Sequence, residues 1–219
     1  MDRFNLEPKT VVPLAANIAL AGVALYLVRK NLKTKRNLEA AEKAKEQLHY
    51  EATHDELTGL LNVRGLEELL AEDEPPKAML YIDGTNQKAV NDTISHKRGD
   101  EAIVGTAKVI KESLRPGDIA ARIGGDEFLV LLNTKRRQEF QNEEYISPEA
   151  VLIPVIERIH QTTEAFLIEN PDLKKSGFDI AVGGAIWQEG MSVNDLRRAA
   201  ESAMYDSKAG QHQANGQYR

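Results

Sequence analysis

The sequence predicts an α/β sandwich in which helices pack on a mixed or antiparallel sheet. Three observations support this. From Asp55 onward, segments with helical spacing alternate with short apolar runs of strand length. Two of those runs, "IAARIG" and "EFLVLL", meet at Gly124-Gly125 as the arms of a hairpin meet at its turn. No internal repeat is visible, so a solenoid is not suggested.

The elements follow in order. Residues 1–9 form a short leading segment. Residues 10–28 carry no charge over 19 residues, and at a rise of about 1.5 Å each a helix of this length crosses a bilayer's hydrocarbon core. Arg29, Lys30, Lys33, Lys35 and Arg36 follow at once. That flank predicts a single-pass anchor in the inner membrane with everything after it in the cytoplasm. A cleaved signal peptide would carry its charge ahead of the run, and a buried helix is the other reading. Residues 29–54 read as one polar linker helix. Leu38, Ala41, Leu48 and Ala52 fall on a heptad-like seam that Lys45 interrupts, so either a short coiled coil or a solvated connector fits. A globular domain is expected over 55–219.

Within that domain the spacing predicts a helix over 56–72, a strand over 77–83 and a helix over 98–114. The hairpin strands come next, then a polar excursion after Leu132. A long amphipathic helix follows over 148–169, a strand over 178–187, and a last helix over 192–209 with Ser192 as N-cap.

Composition narrows the function. The chain has no cysteine, which excludes disulfides and thiolate metal sites and suits a reducing compartment. A net charge of -6 argues against a nucleic-acid partner. The chemistry is expected at two strand ends. Asp83 ends the run "KAMLYID", and Asp126 and Glu127 follow the glycine pair. Glycine there admits positive φ or the close approach of another group. Two carboxylates converging at a sheet rim make a hard-oxygen site of the kind Mg²⁺ prefers when it also holds phosphate oxygens, as in nucleotidyl transfer. Read singly, each acid is equally a turn residue.

Several motifs in order raise the specificity. "DELTGLLNVRG", "IDGTNQKAVNDTISHKRGD", "RIGGDEF", "FDIAVGGA" and "AAESAMYDSKAG" together resemble the GGDEF domain of diguanylate cyclases, over about 155 residues from Asp55. The resemblance implies a palm-type, nucleotidyl-cyclase-like sandwich. It implies a homodimer that condenses two GTP into cyclic di-GMP and two pyrophosphates. Asp83, the main-chain oxygen of Gly84, Asp126 and Glu127 would then hold Mg²⁺, with Mn²⁺ as the alternative. Glu127 would also activate the attacking hydroxyl. Asn91 and Asp100 would read guanine, although both residue types also cap helices. Lys88 and Lys208 would hold the triphosphate beside Gly124 and Gly125. Arg115 and Asp118, nine and six residues before Gly124, match the family's product-binding R-x-x-D site, with Arg122 assisting; a plain Pro-Gly turn is the other reading.

The chain departs from the family in three places. Thr85, Asn86 and Gln87 stand where the family has a second Asp and an aromatic pair. Ser95 replaces a Gly. Gln211 and His212 follow Gly210 without the family's arginine. These departures leave a second class open, a module that binds GTP or cyclic di-GMP without turnover. A third class, an anchor dimerising through 29–54, leaves the acids unexplained.

Overall fold

A computed structural model describes residues 11–72, 76–132 and 147–216, with side chains for 16–71, 76–132 and 147–209. It divides into two compact units, Met1–Tyr50 and Glu51–Arg219. The polar excursion expected over 133–146 lies outside the described residues, as do residues 1–9.

The first unit, as described, is helix. α1 runs Val11–Thr53, so the apolar run and the linker form one continuous helix whose last three residues belong to the second unit. Among the described residues no helix is long and apolar enough to cross a membrane. The expected span begins at residue 10, outside the described residues, and the side chains of 11–15 are outside them too. The part with described side chains, 16–28, stops after 13 residues at Arg29. Leu38 and Leu48, on the heptad-like seam, are exposed in the single chain.

The second unit is a four-stranded sheet of β1 (Ala78–Thr85), β2 (Ile119–Arg122), β3 (Glu127–Leu132) and β4 (Asp179–Ile186), in the order β2-β3-β1-β4. Every pairing is antiparallel, which resolves the mixed-or-antiparallel alternative. Strict alternation along the strands sends side chains to two cores. Leu80, Ile82, Phe128, Val130, Ile180 and Val182 face one way. They meet α4 (His96–Ser113) through Ile103 and Ile110, and α5 (Pro148–Glu169) through Val155 and Ile159. Met79, Tyr81, Leu129, Leu131 and Ala181 face the other way. They meet α7 (Val193–Gly216) through Leu196, Ala200 and Met204, and α2 (Val63–Glu72) through Leu66. Each fully buried side chain of this size contributes about 1.5–3 kcal/mol. Two short helices, α3 (Gln87–Thr93) and α6 (Pro171–Lys175), complete the unit.

Capping explains most helix starts. Ser147 accepts from the Ala150 N–H ahead of Pro148, and α5 occupies the expected 148–169. Ser192 accepts from the Asp195 N–H while its own hydroxyl donates to the Asp195 carboxylate. Ser95 accepts from the Arg98 N–H, which starts α4 two residues earlier than expected.

The expected helix over 56–72 is shortened to 63–72. The Asp55 carboxylate accepts both the N–H and the hydroxyl of Thr58, and Gly59 takes φ 63°, so the chain turns before Asn62 caps α2 through the Gly65 N–H. The glycine pair also differs from expectation. Neither Gly124 nor Gly125 has a left-handed φ.

At Gly183, α7 crosses β4 so closely that a Cβ would collide with the main-chain nitrogen of Met204. Gly183→Ala is therefore expected to destabilise the domain by about 3 kcal/mol, since overpacking against backbone cannot relax through a rotamer. Denaturant unfolding of the variant against the parent chain checks this.

Candidate active site

β1 and β3 carry the acids to one rim. Their register sets Asp83 opposite Glu127, and residues opposed across antiparallel strands project to the same face. The Gly84 N–H donates to the Asp126 carbonyl at 3.0 Å. Gly84 also leaves room for Asp126, since a Cβ there would lie 3.4 Å from the Asp126 Cβ. Gly124 lies against the Glu127 carboxylate, which would have to shift to admit a side chain there, and nothing stands within 4 Å of a Cβ on Gly125. The pair thus serves close approach on one side and leaves open space on the other.

Charge is concentrated here. Burial pushes the Asp126 carboxyl up from its ordinary value, and the charge of Asp83 pushes it further, with a smaller push from Glu127. Lys208 of α7 donates to Asp83 Oδ1 at 2.7 Å, with both side chains largely covered. Its ammonium is a stand-in for part of the positive charge the site needs. Glu127 Oε1 accepts from the Tyr81 hydroxyl at 2.9 Å. Burial, then this carboxylate, push the Tyr81 hydroxyl up, so it remains a neutral donor. Among the described residues no group of three acidic or histidine side chains is arranged to hold a metal ion. Asp83, Asp126 and the Gly84 carbonyl supply oxygens of the kind a hard divalent cation takes.

The hairpin is held from below by Arg122. Its Nη1 donates to both Asp55 oxygens at 3.1 and 2.9 Å, its Nε to the Gly124 and Gly125 carbonyls at 3.1 Å each, and its Nη2 to the Gly125 carbonyl at 2.6 Å. Burial alone would raise the Asp55 carboxyl, but hydrogen bonds from Thr58 and Arg122 outweigh it and hold Asp55 below the usual aspartate range. Arg122, expected to assist the product site, here ties the glycine-pair carbonyls to Asp55.

A second group forms beside the first. Asn91, on α3, lies against Gly99 so tightly that a Cβ there would collide with Asn91 Oδ1. Gln87 Nε2 donates to the Gly99 carbonyl at 2.8 Å. Asp100 is exposed near the start of α4, and Lys88 is exposed on α3. Thr85 is buried and donates to the Asp179 carbonyl at 3.1 Å. Asn86, at φ 59°, donates to the Gly177 carbonyl at 2.6 Å.

A third group surrounds the Pro116-Gly117 turn. The Arg115 N–H donates to Asp118 Oδ2 at 2.9 Å, and the Asp118 N–H donates back to the Arg115 carbonyl at 3.1 Å. The turn reading therefore holds for the backbone and leaves the exposed Arg115 head group unused by it. Arg158 of α5 donates through Nε to the Ser113 carbonyl at 2.9 Å, and its Nη2 is buried with no partner among the described residues.

Comparison with known proteins places most of the second unit in one family. The family model "Diguanylate cyclase, GGDEF domain" matches residues 52–214. The chain belongs to the GGDEF family of diguanylate cyclases. Among curated relatives, the Escherichia coli K12 diguanylate cyclase DgcM is 27% identical over 177 residues, covering 76% of this chain and 38% of DgcM. Probable diguanylate cyclase DgcT from the same strain is 31% identical over 138 residues, covering 61% of this chain and 27% of DgcT. The chain thus spans well under half the length of these relatives. The coiled coil and GGDEF domain of Caulobacter crescentus DgcB, solved with c-di-GMP, matches at TM-score 0.61 and 24% identity, covering 84% of this chain and 95% of that one, and supports the fold. The GGDEF domain of Pseudomonas aeruginosa PA1120 (TpbB or YfiN) matches at TM-score 0.55 and 28% identity, covering 72% of this chain and 89% of that one.

Tyr81, Asp55, Gln87 and Arg158 are the residues of this GGDEF domain that the sequence reading missed as parts of its sites. Their partners are 46, 67, 12 and 45 positions away in the chain, and no local pattern marks such pairs. The "DELT" motif was the one available signal, for Asp55.

Asp126 yields a pH test. Its folded pKa is raised, so the native state holds more proton than the unfolded chain between the two values. Stability contributed by this group falls as pH rises through that window, and the cost is complete above it. Asp126→Asn should raise the melting temperature of metal-free protein at neutral pH. The gain should fade as pH falls below about 4, where an ordinary aspartate is protonated. Thermal melts at both pH values read the difference.

Proposed function

We propose that the chain is a diguanylate cyclase that condenses two GTP into cyclic di-GMP with release of two pyrophosphates. The observation that supports this reading is the strand register that sets Asp83 opposite Glu127, with the Gly84 N–H on the Asp126 carbonyl at 3.0 Å beside it. Mg²⁺ is the proposed ion; when bound it neutralises phosphate charge and favours the attacking alkoxide. Asp83, Asp126 and the Gly84 carbonyl hold it. Lys208, paired with Asp83 in the resting chain, turns to the phosphates, joined by Lys88. Gly124 and Gly125 let the triphosphate approach the backbone. Asn91 and Asp100 take the guanine.

Each half-reaction forms one bond from a 3′-oxygen to the α-phosphorus of the other GTP and breaks the bond from that phosphorus to pyrophosphate. Glu127, steadied by Tyr81, receives the hydroxyl proton. Two such events on facing domains close the ring, so a homodimer is part of the proposal. Product inhibition belongs to it as well, through Arg115 and Asp118, with the unpartnered Arg158 Nη2 as a further donor. So does a membrane anchor at 10–28, argued from its uncharged length and the basic flank. Sedimentation of the full chain with salt-washed membranes tests the anchor, and recovery in the supernatant rejects it.

Incubating the full chain with GTP and Mg²⁺ should yield cyclic di-GMP, and Asp126→Ala should lower the rate at least a hundredfold, on the order of what removing one electrostatic stabiliser costs. GTP binding without product would favour the effector reading instead. In the same assay Arg115→Ala should let product accumulate to a higher plateau, and an unchanged plateau would remove the inhibitory site.

A further inference from the structure

Gln87 occupies a position where this chain departs from its family, and its side chain is half satisfied. Nε2 donates to the Gly99 carbonyl at 2.8 Å. Oε1 is buried and has no hydrogen-bond partner among the described residues. The reverse amide orientation is excluded, because it would press Oε1 against the Gly99 carbonyl, acceptor against acceptor. In the free chain the carboxamide therefore rests with its oxygen unpaired, where leaving an acceptor sealed from water costs about 1–3 kcal/mol.

The neighbours say what would relieve that cost. Asn91 and Gln87 both crowd Gly99, and either would collide with a Cβ there. Asp100 is the next residue along α4. These are the side chains assigned to the purine under the proposed function, on which this inference rests. Guanine presents three donors on the edge in question, one at N1 and two on the exocyclic amino group. A single carboxylate accepts two of them together, which leaves one amino hydrogen unmatched. We propose that Gln87 is a third purine-reading side chain, its Oε1 accepting from the exocyclic amino group of guanine. Gln87 is only half-buried as a residue, and its terminal torsion is soft, so a modest turn presents the oxygen to an arriving base.

The comparison nucleotide is inosine triphosphate, which keeps N1–H and lacks the amino group. Using 3′-deoxy-GTP and 3′-deoxy-ITP removes the attacking hydroxyl, so equilibrium binding to the full chain is read without turnover. Gln87→Met keeps the volume and removes the acceptor. It should weaken 3′-deoxy-GTP about tenfold, the worth of one such hydrogen bond, and leave 3′-deoxy-ITP unchanged. Equal weakening of both, or of neither, overturns the inference while the cyclase reading stands. If the parent chain binds neither nucleotide, the proposed function fails and takes this inference with it. Should Gln87→Met lower the melting temperature, Asp100→Ala decides. With Asp100 gone, a several-fold preference for 3′-deoxy-GTP should survive, and equal affinities would sink the idea.

Discussion

The pairing of β1 with β3 sets like charges side by side, and much of the domain follows from having to hold them there. Below the rim the two strands are uniformly apolar, from Ala78 opposite Leu132 to Ile82 opposite Phe128. That ladder fixes the register, because a slip of one residue would exchange the two cores. The register in turn fixes Asp83 opposite Glu127 and leaves Asp126 at the turn. Hydrophobic burial thus holds an arrangement that electrostatics opposes. The opposition is visible in the raised Asp126 carboxyl, in Lys208 drawn onto Asp83 and in Tyr81 donating to Glu127. Among the described residues Lys208 is the cation paired with Asp83 at this rim, and the proposed function adds a divalent ion to the same charge.

Arg122 answers a different problem. A glycine pair has no side chains to pin it, and in the unfolded chain it is freer than any other dipeptide. Here one part of the pinning comes from the carbonyl side. The guanidinium takes both glycine carbonyls and is itself neutralised by Asp55, whose own position is set by Thr58. The loop is tied on both sides, since the Ile123 and Gly124 N–H groups donate to the Glu127 carbonyl at 2.9 and 3.4 Å.

How much of this was legible in the sequence depends on the range of the interaction. α5 was placed at its full extent because Ser147-Pro148 and an apolar stripe are local signals. The hairpin strands and β4 were likewise readable from apolar runs between turns. The helix over 56–62 was misjudged because a local side-chain bond, Asp55 to Thr58, competes with helix and wins there. The acids were marked by their place at two strand ends, whereas Asn91, Asp100 and Lys208 were singled out only through motif resemblance, which carries three-dimensional knowledge that spacing lacks. Arg122 entered through the R-x-x-D resemblance, and its ion pair with Asp55, 67 positions away, is a long-range contact that no local pattern marks.

The segment 85–87 decides how the departures from the family are to be weighed. A site drifting out of use would be expected to collect polar groups without partners. Here Thr85, Asn86 and Gln87 each place a side-chain donor on a main-chain carbonyl, of Asp179, Gly177 and Gly99 in turn. Asn86 sits at φ 59°, a conformation that asparagine tolerates better than an aromatic residue does. The three residues therefore form a set, in which hydrogen bonds do the anchoring that apolar packing of an aromatic pair would otherwise supply. The one atom of the set left over is Gln87 Oε1, and it lies among the residues assigned to the base. Anchoring on one side, with a single open valence among those residues, therefore weighs against reading the segment as loose, and it is the arrangement that the proposed reading of the base requires.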